Sequence, residues 1–131
     1  MVAVLDSTRQ GMTTDDLLGV GGDTPVVGSL ADAVDANTLL IGIAPPGGKI
    51  PPEWRAVVLE AIQRGMNVVS GLHDFVSDDP EFAAAAEQHG VTLTDVRKNS
   101  EKTIARRVGL NEDCLRILTV GHDCSVGKMV T

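Results

Sequence analysis

The residues best suited to chemistry are the eleven at positions 121–131, which include Gly121, Gly127 and Lys128. They follow the apolar run 115–120, which predicts a buried strand, so the order is that of a strand followed by a phosphate-binding loop. In such a loop, backbone N–H groups at a helix N-terminus line an anion site, and the lysine adds positive charge near the outer phosphates. A glycine-rich turn with a surface lysine is the simpler alternative.

The spacing of this loop departs from the common phosphate-loop pattern, which has four residues between the glycines and Ser or Thr after the lysine. Here five residues separate Gly121 from Gly127, and Met129 follows Lys128. Gly-x-Asp-x-x-Val-Gly-Lys resembles the variant loop of dethiobiotin synthetase and its relatives, which carry Thr at the position of Met129. That hydroxyl is a magnesium ligand, and a thioether cannot replace a hard oxygen ligand. The sequence therefore favours phosphate binding over ATP hydrolysis.

Composition limits the class of protein. The chain has 131 residues, 43% of them hydrophobic, with two Phe, one Trp and no Tyr. An aliphatic core of this kind is typical of parallel strands covered by helices. The net charge of −7 argues against a nucleic-acid surface, because phosphate contacts need clustered Lys and Arg. The excess of aspartate fits a salt-adapted proteome and ordinary variation equally well.

The chain shows neither a signal sequence nor an apolar run long enough to span a membrane, so we expect a soluble cytoplasmic protein without a membrane partner.

Short apolar runs alternate with helical patterns along the chain. Strands are predicted at 2–5, 25–28, 38–43, 66–70 and 91–96. One helix is predicted from Pro51 and Pro52 to a stop at Gly65, another from Pro80 to Gly90, and a short one after Ser29. This order predicts an α/β fold with an open, mostly parallel Rossmann-like sheet and helices on both faces. Ligands bind beyond the carboxyl ends of such strands, where 44–48, 71–74 and 121–128 fall.

Residues 24–95 resemble the CoA-binding Rossmann domain of succinyl-CoA synthetase. The resemblance rests on Pro-Val-Val-x-Ser-Leu-x-x-Ala-Val, a buried strand ending in Ala-Pro-Pro, and Leu-Glu-Ala-Ile-x-x-Gly-Met-x-Val-Val. The first strand of that domain and its glycine-rich loop have no counterpart here. This resemblance implies that the first strand–loop–helix unit is missing and that the chain begins at the second strand.

Over its whole length the sequence is similar to a family that joins a Rossmann-like domain to a dethiobiotin-synthetase-like P-loop domain. The segments 43–48, 70–75 and 121–129 carry this resemblance. It implies a Rossmann-like domain at 1–96, a linker at 97–113, and the truncated start of a P-loop domain at 114–131. Some members are D-glutamate N-acetyltransferases that use acetyl-CoA.

That resemblance implies an acetyl-CoA-dependent N-acetyltransferase, with this chain an N-terminal fragment that is inactive alone. The expected partners are an amino-acid substrate, CoA and further copies of the chain in a homo-oligomer. Two alternatives stay open: an ATP-dependent ligase or kinase that uses magnesium, and a non-catalytic nucleotide-binding or assembly domain. The candidate cofactor-binding residues are Gly121, Asp123, Cys124, Ser125, Val126, Gly127, Lys128 and Met129, with Pro45, Pro46, Gly47, Gly48 and Gly71 as further candidates.

Acetyl transfer needs a base for the ammonium proton and donors for the oxyanion. The candidate bases are His73, Asp74, His122 and Asp123, each of which also has a structural explanation as a turn cap or loop brace. Cys124 is either a nucleophile with a lowered pKa or a small residue that fits a tight loop. No metal site is predicted within the chain itself.

Overall fold

A computed structural model of the chain describes residues 1–43, 45–99, 109, 111, 113–115 and 117. The chain divides into two compact units, Met1–Ser100 and Glu101–Thr131. In the second unit, Leu115 and Ile117 are the described residues of the predicted strand 115–120. Both are 84% exposed and lie outside any strand. The rest of that strand, and the whole predicted phosphate loop at 121–131, lie outside the described residues.

Every pair of neighbouring strands in the first unit is parallel. The strands are β1 (Val4–Leu5), β2 (Val26–Val27), β3 (Thr38–Ile41), β4 (Asn67–Ser70) and β5 (Leu93–Asp95). Hydrogen bonds join β1 to β2 in one sheet and order the others as β3-β4-β5 in a second sheet. The predicted α/β fold with parallel strands is confirmed. The strands are divided between two sheets, and β3 and β5 are shorter than the runs 38–43 and 91–96.

Helices connect these strands. They are α1 (Thr14–Leu18), α2 (Pro52–Gln63) and α3 (Pro80–His89), with single turns at Leu30–Asp32, Pro46–Gly48 and Val76–Asp78. The predicted stops are confirmed, because Gly65 and Gly90 have φ of +76° and +66° after α2 and α3, a conformation that glycine adopts without strain. None of the helices that the structure describes combines the length and apolarity needed to cross a bilayer.

The main core lies between the three-stranded sheet and two helices. Ile41 and Val68 from the sheet pack with Ile62 of α2 and Phe82 of α3. Both helices therefore cover the same face of this sheet. On the other face, Leu40 is 66% exposed, so α2 and α3 do not provide the predicted cover on both faces.

A polar contact fastens the two helices to each other on that covered face. Arg55 of α2 donates from Nη1 to an oxygen of Asp79 at 2.7 Å and also pairs with Glu81, while its guanidinium lies 4.5 Å from the centre of the Phe82 ring. Asp79 in turn accepts from the N–H groups of Glu81 and Phe82. The hydrogen bond from Arg55 holds the pKa of the Asp79 carboxyl below its ordinary value.

Candidate functional site

The carboxyl ends of β3, β4 and β5 meet at one edge of the three-stranded sheet. In the register of the sheet Ile41 lies beside Ser70, and Ser70 lies beside Asp95. The loops that begin after these residues therefore leave the sheet side by side. We call this region the carboxyl edge, defined by residues 42–43, 45–49, 71–75 and 96–98. It is the place where open parallel sheets bind their ligands.

A glycine turn on the first of these loops contacts the second. The carbonyl oxygen of Gly48 accepts hydrogen bonds from the backbone N–H of His73 at 3.0 Å and of Asp74 at 3.2 Å. Gly47 and Gly48 have φ of +75° and +65°, and Gly48 is buried. A Cβ at Gly48 would lie 2.9 Å from the Cβ of His73, closer than side chains tolerate. Glycine at this position therefore lets the two loops close together.

The carboxylate of Asp95 fixes the far end of the His73 loop. Asp95 is 9% exposed, and its two carboxyl oxygens accept from the N–H groups of Val76 at 2.9 Å and Ser77 at 3.0 Å. Lys98 donates to the hydroxyl of Ser77 at 3.0 Å. The loop is thus held at Gly48 on one side and at Asp95 on the other, which restricts where the His73 ring can go.

Sequence reasoning placed Asp95 inside a strand and gave it no role. The available signal was an aspartate at the carboxyl end of an apolar run, a position where a carboxylate meets the N–H groups of a neighbouring loop. Its partners could not be named from the sequence, because they are nineteen and eighteen residues away along the chain.

The structure brings part of the predicted site together. His73 and Asp74 are exposed at the carboxyl edge, next to the predicted turn Pro45–Gly48 and to Gly71. Within the described part of the chain, neither side chain makes a hydrogen bond or ion pair. His73 and Asp74 are therefore held by their backbones, and their side chains face solvent without forming a dyad. The candidates His122, Asp123 and Cys124, and the cofactor positions 121–129, lie outside the described residues.

A second residue of the carboxyl edge that the sequence did not single out is Arg97, which falls in the predicted linker. Its Nε donates to the carbonyl oxygen of Gly71 at 2.8 Å, so its guanidinium lies at the carboxyl edge. Lys49, directly after the glycine turn, is exposed there as well. The edge therefore carries basic side chains in a chain whose net charge is −7.

The arrangement suits a ligand that is bound through anionic groups and reacted beside an imidazole. The searched residues contain no cluster of three or more His, Cys, Asp or Glu side chains placed to hold a metal ion.

Residues 7–99 match the family described as the DUF1611_N domain of unknown function, a Rossmann-like domain. A protein from Tritonibacter scottomollicae named D-glutamate N-acetyltransferase is 48% identical over 102 residues, and one of the same name from a Pseudoalteromonas species is 41% identical over 101 residues. Each match covers 77% of this chain and 30% of the relative. The chain thus spans about a third of the length of the curated relatives it matches.

A solved structure shows the same fold. The crystal structure of a DUF1611 family protein from Anabaena variabilis superposes with a TM-score of 0.72 at 34% identity, covering 81% of this chain and 32% of the neighbour.

Proposed function

Because the chain belongs to the DUF1611_N family of Rossmann-like domains, we propose that the protein at its natural length is an acetyl-CoA-dependent N-acetyltransferase that acts on D-glutamate. The two relatives that carry this name support the proposal. The structural observation behind it is the fastening of the His73 loop to the glycine turn through Gly48, at the carboxyl edge of a parallel sheet. Since the relatives are about three times as long as the match, we propose that these 131 residues alone are inactive.

The described residues are compatible with CoA, which would supply an activated acetyl thioester. Its phosphates need cations and exposed backbone. Arg97 and Lys49 offer the cations at the carboxyl edge. A Cβ built at Gly42 meets no atom of the described residues within 4 Å, which leaves the backbone there open to a ligand. We propose that the turn Pro45–Gly48 and Gly71 contribute to this site. The segment 121–129, outside the described residues, is the proposed phosphate loop of the same protein.

His73 is the proposed proton acceptor. The substrate amine is an ammonium ion at neutral pH and must lose a proton before its nitrogen can bond to the acetyl carbonyl carbon. The imidazole of His73, exposed at the carboxyl edge, can take that proton at a ring nitrogen. As the new C–N bond forms and the C–S bond breaks, the imidazolium can return a proton to the sulfur, and the second ammonium proton goes to water.

Asp74, next to His73 on the same loop, is the alternative proton acceptor. His122, Asp123 and Cys124 remain predictions from the sequence.

The test is a direct assay of the protein at its natural length with acetyl-CoA and a panel of amino acids that includes both enantiomers of glutamate. We expect release of the CoA thiol that depends on D-glutamate, together with N-acetyl-D-glutamate as the product. No thiol release with any amino acid of the panel would overturn the proposal. Consumption of ATP with magnesium instead would establish the ligase or kinase alternative.

A further inference from the structure

Arg97 is held in a defined position at the carboxyl edge. The N–H of Val96 donates to the carbonyl of Ser70 at 3.0 Å, so the backbone is still bonded to β4 at the residue after β5. Arg97 follows, and its Nε donates to the carbonyl of Gly71, the residue directly after β4, at 2.8 Å. The guanidinium is thus tied at one nitrogen, and its two terminal Nη groups have no partner among the residues that the structure describes.

The other arginines of the described unit have a different environment. Arg55 pairs with Asp79 and Glu81, and Arg64 pairs with Glu60 at 2.8 Å. Hydrogen bonds from Thr8 lower the pKa of the Asp6 carboxyl, and the charge of Arg9 lowers it further. Arg97 has no carboxylate partner within residues 1–43 and 45–99, in a chain with 18 acidic residues.

The backbone beside Arg97 is uncovered. Gly42, Gly71 and Val96 each follow the aligned row of Ile41, Ser70 and Asp95, so they form the next row across the sheet. Among the described residues, an added Cβ would meet no atom within 4 Å at Gly42, and at Gly71 only the Ile41 carbonyl oxygen and a Val96 methyl group, both at 3.9 Å. The two neighbouring glycines therefore leave backbone uncovered by side chains next to the guanidinium and to the loop that carries His73.

We propose that Arg97 binds an oxyanion of the ligand, a carboxylate or a phosphate, through its two Nη groups. A planar guanidinium can donate to two oxygens of such a group at once. The hydrogen bond from Nε to Gly71 orients the two Nη groups before the ligand binds. The anion belongs either to the amino-acid substrate or to CoA. The assignment of the anion to one of these two molecules rests on the proposed function, whereas the binding of an anion by Arg97 does not.

The experiment measures binding by isothermal titration calorimetry, using the protein at its natural length and two probes. Glutarate carries the two carboxylates of the substrate without its amine, and inorganic pyrophosphate represents the phosphates of CoA. We expect the wild-type protein to bind at least one probe. The variant Arg97→Gln keeps an N–H donor for Gly71 but loses the charge, and its affinity for that probe should fall about 10- to 100-fold, the range for hydrogen bonds to charged groups.

Two further variants make the result specific. Arg97→Lys keeps the positive charge but loses the two paired Nη donors, so its affinity should lie between those of the wild type and Arg97→Gln. Arg64→Gln removes an exposed arginine next to α2, and it should bind like the wild type. Loss of glutarate binding assigns Arg97 to the substrate carboxylate, and loss of pyrophosphate binding assigns it to a CoA phosphate.

The proposal is overturned if the wild type binds neither probe, or if Arg97→Gln and Arg97→Lys both bind as tightly as the wild type. The circular dichroism spectrum of each variant checks its fold, and Arg97→Lys provides the test if Arg97→Gln does not fold. Anion binding that depends on Arg97 in a protein without acetyl transfer would reject the proposed function alone. Acetyl transfer with unchanged binding in both variants would reject the role of Arg97 alone.

Discussion

The helix-covered face of the three-stranded sheet and the carboxyl edge of the same sheet are built in opposite ways. On the covered face, Ile62, Val68 and Phe82 are fully buried, and Arg55 is paired with carboxylates. At the edge, His73 and Asp74 are exposed, and the loops are joined mainly through backbone groups of glycine. The difference indicates that the two helices contribute to stability, whereas the edge leaves charged and titratable side chains exposed.

The largest expected effect on stability comes from the covered face. Phe82→Ala removes a ring that is 0% exposed, and such a change costs about 3–5 kcal/mol in the free energy of unfolding. Leu40→Ala on the open face, where Leu40 is 66% exposed, should change it by less than about 0.5 kcal/mol. Urea denaturation followed by circular dichroism measures both. Equal losses in the two variants would contradict the division between the two faces.

The next prediction distinguishes a loss of stability from a displacement of His73 at the carboxyl edge. Gly48→Ala and Gly65→Ala both place a side chain at positive φ, +65° and +76°, and each should lose about 1–2 kcal/mol of stability. Gly48→Ala also collides with His73, whereas a Cβ at Gly65 meets no atom within 4 Å in the part of the chain that the structure describes. We therefore expect kcat/KM for acetyl transfer to fall about 10- to 100-fold in Gly48→Ala and to stay near the wild-type value in Gly65→Ala. Equal activity in both variants would show that the contact with His73 has no functional role.

The smallest expected effect is the change in the free energy of unfolding that acid causes through the Arg55–Asp79 pair on the covered face. The pKa of Asp79 in the folded protein lies below its ordinary value of 3.8, so the folded state binds this proton less readily than the unfolded chain. Its contribution to stability is then complete above about pH 4 and is lost as the pH falls through the lowered pKa. The variant Arg55→Met should show a shallower loss of stability between about pH 4 and pH 2 than the wild type.

The control for this prediction is Arg64→Met, which removes the partner of Glu60 but leaves the Arg55–Asp79 pair intact. Urea midpoints at several pH values should follow the wild-type curve in this control. If the stability of Arg55→Met falls with pH in parallel with that of the wild type, the Arg55–Asp79 pair does not contribute to the loss of stability in acid.

The sequence predicted the elements whose signals are local. Helices α2 and α3 begin at Pro52 and Pro80 and stop before Gly65 and Gly90, as expected from prolines in a first turn and glycines after the last. Helix α1 was missed because its start depends on a reciprocal pair of hydrogen bonds between Thr13 and Asp16 in a stretch without apolar periodicity. The division into two sheets was also missed, since strand pairing depends on distant contacts.

The candidate site was predicted in part for the same physical reason. Parallel strands bring the loops after them to one edge, so the approach of the turn Pro45–Gly48 to His73 followed from the order of the elements. The roles of Asp95 and Arg97 did not follow, because their partners are 18, 19 and 26 residues away. Which backbone group lies within reach of a side chain is decided by tertiary structure.

The most direct test of the account compares two histidines in the protein at its natural length. His73 lies at the carboxyl edge, and His89 is exposed in the last turn of α3. We expect His73→Gln to lower kcat for acetylation of D-glutamate about 10²- to 10⁴-fold, the usual contribution of a general base, with the circular dichroism spectrum unchanged. His89→Gln should retain the wild-type kcat. If kcat of His73→Gln stays within about twofold of that of His89→Gln, His73 is not the general base, and the proposal that acetyl transfer depends on a proton acceptor at this position is wrong.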